Sequence, residues 1–189
     1  MPKLLIITHP DVAIDPDIPI TDWSLNETGR RRAHMFASCD AFADVTQIWT
    51  SHEQKARETG DILAASRNLP VLRHAGLGEN DRSATGFLAK KDFEAAADAF
   101  FARSGISFRG WETAIDAQKR IHRTVTGIVG TQYHGDLAIV THGAVGTLLW
   151  CAFSGLAIDR RHDQPSQGHF WQADLSTLQP MSGWSPMAG

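Results

Sequence analysis

The chain predicts an α/β domain with a mostly parallel central sheet covered by helices on both faces. Three observations carry this expectation. The runs "LLII" (4–7) and "LAIV" (137–140) have the unbroken hydrophobicity of strands buried on both sides. Between such runs the apolar spacing changes to that of helices, so strand and helix alternate along the chain. The length of 189 residues suits one sizeable core, and residues 1–189 read as a single domain without repeats or linkers.

The elements follow in order. "LLII" is the first strand and leads into a long loop. In "NETGRRRAHMFAS", Gly29, Ala33, Phe36 and Ala37 share one helical face, and Asn26 is placed to cap it. "QIWT" is a second strand. "SHEQKARETGDILAAS" opens with Ser51 and Gln54 in capping-box spacing, which predicts a helix starting there. "PVLRH" is a third strand. "FEAAADAFF" sets Phe93, Ala96, Ala97, Phe100 and Phe101 on one helical stripe. "WETAIDAQKRIHRTVTGIV" repeats that pattern through Trp111, Ala114, Ile115, Ile121, Val125 and Ile128. "LAIV" is a strand, Val145, Leu148, Leu149 and Ala152 mark the helix after it, and "GHFWQADL" is the last strand. The segment from about 79 to 110 breaks the alternation and reads as a helical insertion laid over one edge of the sheet.

Composition narrows the function. The formal net charge is −3 with both signs interspersed, which speaks against a nucleic-acid or membrane binder. The two cysteines, Cys39 and Cys151, are too few for a disulfide framework. The early apolar run is too short for a signal sequence or a membrane span, so a soluble cytoplasmic protein is expected. The histidines show no zinc-ligand spacing, and no glycine-rich nucleotide loop appears, so neither metal nor cofactor is expected.

The chemistry concentrates at two strand ends. "LLIITHP" (4–10) and "LAIVTHG" (137–143) both run apolar, then Thr, then His. Were these strands neighbours, His9 and His142 would share the carboxyl edge of the sheet, where open α/β folds place their ligands. Gly143 would then open a helix whose free N–H groups favour an anion.

Taken in order, "THP" (8–10), "LNETGRRRA" (25–33), "SHEQKARET" (51–59), "LGEN" (77–80) and "THG" (141–143) make the chain resemble the histidine phosphatase superfamily, the phosphoglycerate-mutase-like group. That family opens with a strand and Arg-His-Gly. It places an Arg before Ala and Thr in a helix after a Ser, an acidic residue after a Leu in its insertion, and a His-Gly after a late strand. Order and spacing agree over nearly the whole chain. The resemblance implies a three-layer αβα fold and a phosphomonoesterase acting on a small phosphorylated substrate. It makes His9 the nucleophile that carries the phosphoryl group, since neutral imidazole is nucleophilic near neutral pH. It makes His142 a hydrogen-bond donor to the transferring group. Glu79 becomes general acid and then base, which requires a raised pKa. Phosphate would be bound by Lys55, Thr8, Arg82 and the amide of Gly143.

Three positions depart from the family pattern: Thr8 and Lys55 stand for its two arginines, and Pro10 for its glycine. Arg offers a bidentate fork where Lys is a point charge, and a hydrogen bond to a charged group contributes about 1.5–3 kcal/mol. Pro10 has no N–H to offer. Arg82, travelling with Glu79, is the best-placed compensating cation, whereas Arg57 lies roughly 200° around its helix from Lys55. The loop "DVAIDPDIPITDWS" carries four aspartates, whose charge would disfavour a polyanionic substrate. "HDQPSQGHF" (162–170) is placed to line the same pocket. These departures keep a second function open: a catalytically weak or inactive phospho-ligand binding member of the same fold.

Overall fold

The computed structural model describes residues 1–131 and 134–187. In it, β1 (Lys3–Thr8), β2 (Val45–Thr50), β3 (Val71–Arg73), β4 (Asp136–Thr141), β5 (His169–Asp174) and β6 (Ser185–Pro186) form one sheet in the order β3-β2-β4-β1-β5-β6. The pairs β2/β3, β2/β4 and β1/β4 are parallel, whereas β5 and β6 add an antiparallel edge.

Strand periodicity builds the layers. Leu4, Ile6, Leu137 and Ile139 point to one face and pack against α3 (Lys90–Ala102), α4 (Ala114–Val129) and α5 (Gly143–Phe153). Leu5, Ile7, Ala138 and Val140 point to the other face and meet α1 (Glu27–Ala37) and α2 (Gln54–Ala65). Successive strand side chains face opposite ways, so a run apolar at every position must be covered twice. The result is the expected three-layer αβα arrangement.

The helices follow their sequence signals with one correction. Asn26 caps α1 by accepting from the Gly29 amide at 2.8 Å, and the buried face is the predicted Gly29, Ala33, Phe36 and Ala37. The predicted capping box at Ser51 does not form. Glu53 is the cap residue of α2, with no side-chain bond. Ser51 still belongs to the strand end, its N–H bonded to Val140 O, so its hydroxyl turns to the next strand and meets His142 instead. Within 79–110, α3 buries Ala96, Phe100 and Phe101 in the core it shares with α4 and α5. Arg160 pairs with both Glu94 and Asp98 of α3, tying it to the chain before β5.

The register decides the rest. Thr8 lies opposite Thr141, so His9 and His142 leave neighbouring parallel strands at the same carboxyl edge. Among the described residues, no helix is long and apolar enough to cross a membrane.

Candidate active site

At that edge lies a cavity of about 370 Å³. Its lining includes His9, Lys55, Glu79, Asn80, Arg82, Gly143 and Gln164, with Trp23, Phe93 and Trp111 on its apolar side. Five of the seven residues singled out from sequence thus share one cavity; Thr8 and His142 do not line it.

His9 is buried, and its Nδ1 lies 3.0 Å from the carbonyl of Pro10. A carbonyl only accepts, so Nδ1 carries the proton and Nε2 keeps its lone pair. Pro10 matters here through its carbonyl rather than its missing N–H. Burial, helped by the positive charge of Lys55, lowers the His9 pKa to about 4, so the ring is neutral at neutral pH.

His142 is fully buried behind His9, the ring centroids 5.3 Å apart and the planes steeply tilted. Its Nε2 is 2.7 Å from Ser51 Oγ and 3.3 Å from Glu53 Oε1. Its Nδ1 is buried without a partner. Placing the proton on Nε2 gives the carboxylate a donor and avoids a buried unpaired N–H. That N–H then faces Ser51 and Glu53, and His142 stands behind the cavity lining rather than in it. Burial holds its pKa well below the ordinary value despite Glu53.

Thr8 likewise lies behind the cavity lining. Its fully buried hydroxyl donates to Gln164 Oε1 at 2.6 Å and accepts from the His169 amide at 3.0 Å. The Gln164 oxygen being so fixed, its NH₂ end lies over Gly143, where a Cβ would come within 2.5 Å of Nε2. Thr8 thus presents a neutral donor at the cavity without touching it. Thr141 holds the opposite wall, donating to Leu77 O at 2.7 Å two residues before Glu79.

The Glu79 carboxylate accepts from the amides of Ala144, Val145 and Asn80 at 3.2, 3.1 and 3.1 Å. It therefore occupies the first turn of α5, the anion site that the sequence suggested for phosphate. The amide of Gly143 has no partner among the described residues. Burial raises the Glu79 pKa; Arg82 opposes this and Glu53 adds to it. Arg120 of α4 fixes the Glu79 loop by donating to the carbonyls of Gly76, Gly78 and Glu79 at 2.9–3.1 Å while paired with Glu112.

Lys55 is only 2 % exposed. Its ammonium donates to Ile20 O at 2.8 Å and forms an ion pair with Glu53. Glu53, which the sequence reading passed over, also accepts from the Glu79 amide at 2.9 Å. Burial pushes its carboxyl up, but His142, Lys55 and that amide hold it down at about 2. Arg82 stacks on Phe93, its guanidinium carbon 5.0 Å from the ring centre, and has no ion pair among the described residues. Asn80 is 5 % exposed and its Nδ2 is buried without a partner.

The remaining expectations resolve by position. Asp163 through Gln167 line the cavity as proposed for that stretch. The aspartates of the 11–22 loop do not: Asp11 pairs with Arg32, and the loop turns Val12 and Ile20 to the cavity. Arg57 faces His52 and Arg73 elsewhere. Among the described residues, no group of three His, Cys, Asp or Glu is arranged to hold a metal ion.

Comparison with known proteins places this geometry in context. The profile of the histidine phosphatase superfamily (branch 1) matches residues 18–173, a span that starts after His9. No match was found among curated proteins. Among solved structures, a mycobacterial glucosyl-3-phosphoglycerate phosphatase is 18% identical, with TM-score 0.82 and both chains fully covered. YhfR of Bacillus stearothermophilus is 20% identical with TM-score 0.82, covering 100% of this chain and 98% of that one. A phosphoserine phosphatase of Entamoeba histolytica, solved with 3-phosphoglyceric acid, is 16% identical with TM-score 0.79 and 98% of each chain covered. At these identities the likeness is one of fold.

Proposed function

Because the chain belongs to branch 1 of the histidine phosphatase superfamily, we propose that it hydrolyses small phosphomonoesters through a phosphohistidine on His9. One observation carries the reading: a neutral imidazole, its tautomer set by Pro10, lines the same cavity as a buried carboxyl of raised pKa. Such a pair supplies a nucleophile and a general acid.

In the first step His9 Nε2 forms a bond to phosphorus as the ester P–O bond breaks, and the proton of Glu79 goes to the leaving oxygen. In the second, the Glu79 carboxylate takes a proton from water, the water oxygen bonds to phosphorus, and the N–P bond breaks. Charge on the equatorial oxygens is met by Lys55, Arg82, the Gly143 amide and the NH₂ groups of Gln164 and Asn80. Ser51 and Glu53 hold His142, whose ring packs against that of His9.

A second reading has one observation in its favour: the Lys55 ammonium is already taken by Glu53 and Ile20. On that reading the protein binds phospho-ligands without turnover. Acid-labile labelling of the enzyme by a generic aryl phosphate, from about pH 5 to 8, separates the two. Labelling and turnover that vanish in His9→Ala are expected. A folded wild-type protein that neither labels nor turns over would overturn the phosphatase reading and favour the second.

A further inference from the structure

Behind the wall of the cavity beside His9, lining an adjoining cavity with Glu79, Asn80 and Arg82, lies an anion that phosphate binding does not call for. Glu53 is mostly buried, pairs with Lys55, faces His142 Nε2 at 3.3 Å and accepts the Glu79 amide at 2.9 Å. Its charge offsets that of Lys55, which lines the same cavity as His9. The donors that remain are mostly uncharged: the buried, unpartnered NH₂ of Asn80 and the NH₂ that Thr8 orients on Gln164. Arg82 alone, among the described residues lining the cavity, is a cation without a carboxylate partner, since Arg160 pairs with Glu94 and Asp98.

We infer that Glu53 is a specificity residue, and that it sets the site to take a phosphoryl group bearing one negative charge in preference to a dianion. The inference rests on the phosphatase reading for the location of the phosphoryl group. Physically, a carboxylate fixed at the base of the site repels each added ligand charge, while neutral amides solvate a monoanion without demanding a second charge. The titratable and charged groups facing Glu53 are Lys55 on its own helix, His142 and His9 from the strand ends, Glu79 and Arg82 from the insertion, and Arg120 from α4.

The test is binding of inorganic phosphate, which requires no turnover. In the wild type, affinity should fall from about pH 5 to about pH 8 as phosphate gains its second charge. Sulfate, a dianion throughout that range, provides the correction for the protein's own groups. In Glu53→Gln, which keeps the side-chain shape and frees the Lys55 charge, affinity near pH 8 should tighten about tenfold or more. The double variant Glu53→Gln/Lys55→Gln, which removes the freed charge, should lose that gain. A residue with only a structural role would yield loss or no change, never a gain. Unchanged or weaker phosphate binding in a folded Glu53→Gln protein overturns the inference, as does a wild-type affinity that rises with pH relative to sulfate. Should Glu53→Gln fail to fold, the wild-type phosphate-to-sulfate comparison decides alone. Aryl phosphate turnover, measured separately, reports on the phosphatase reading whichever way binding falls.

Discussion

A buried histidine held neutral makes stability depend on pH in a window that the structure defines. His9 titrates at about 4 in the folded protein against 6.5 when free. Between those values the unfolded chain binds a proton that the native state refuses, so stability falls as pH falls from about 6.5 to about 4, and no further loss from His9 follows below that. At 1.36 kcal/mol per pKa unit the loss amounts to about 3 kcal/mol. His142 acts in the same direction. Glu79 acts oppositely: its raised pKa means stability declines as pH rises above its unfolded value. Glu53, depressed to about 2, loses its contribution only as pH falls from 4.5 toward 2. The His9 contribution is isolated by comparing wild type with His9→Gln, which removes the titrating ring but keeps an N–H donor. Urea unfolding followed by tryptophan fluorescence, at several values from about pH 7.5 to about pH 4, gives the difference in unfolding free energy. The wild type should lose about 3 kcal/mol relative to the variant across this range. A difference that stays flat would show that His9 is not held neutral by burial, and the nucleophile argument would lose its basis.

Three further outcomes are expected. Thr8→Val, nearly the same shape, leaves Gln164 Oε1 and the His169 amide without their partner; it should cost about 1–3 kcal/mol in thermal or urea unfolding and raise KM for aryl phosphate. Arg120→Met removes the donor to the three carbonyls of the Glu79 loop, so kcat should fall by about tenfold or more while KM moves little, with the high-pH limb of the kcat profile displaced. Gly143→Ala pushes a methyl into the NH₂ of Gln164, a flexible end that can yield, so steady-state kinetics should show KM rising several-fold with little change in melting temperature.

How much of this was legible in the sequence depends on the range of the interaction. The strands "LLII" and "LAIV" announced burial on both faces, and their shared Thr-His ending foretold a common edge; the pairing of Thr8 with Thr141 bears this out. The face of α1 and its Asn26 cap were equally local and equally readable. Ser51 misled because a capping box and a strand-end hydroxyl look alike until the partner strand is known. Glu53 and Arg120 were missed because they act on residues brought close only by the fold: His142 lies 89 positions beyond Glu53, and Arg120 reaches back 41–44 positions to the Glu79 loop. A glutamate two residues before Lys55, in a helix start otherwise assigned to phosphate, was the signal available. Pro10 was read through the donor it lacks, whereas the carbonyl it presents is what fixes His9.

The seating of Glu79 on the first turn of α5 links the chemistry to mechanics. Ala144 and Val145 lend their N–H groups to this carboxylate. An ionised carboxylate accepts such bonds strongly and a protonated one weakly. On the proposed mechanism, each time Glu79 surrenders its proton the start of α5 is clamped, and each time it regains one the clamp loosens. The helix would thus breathe in step with turnover, and its opening amides would exchange with solvent more slowly in the phosphoenzyme than in the resting protein. Further along, α5 carries Leu148, Leu149 and Phe153 into the core shared with α3 and α4, so the turn that seats Glu79 opens a helix anchored by packing.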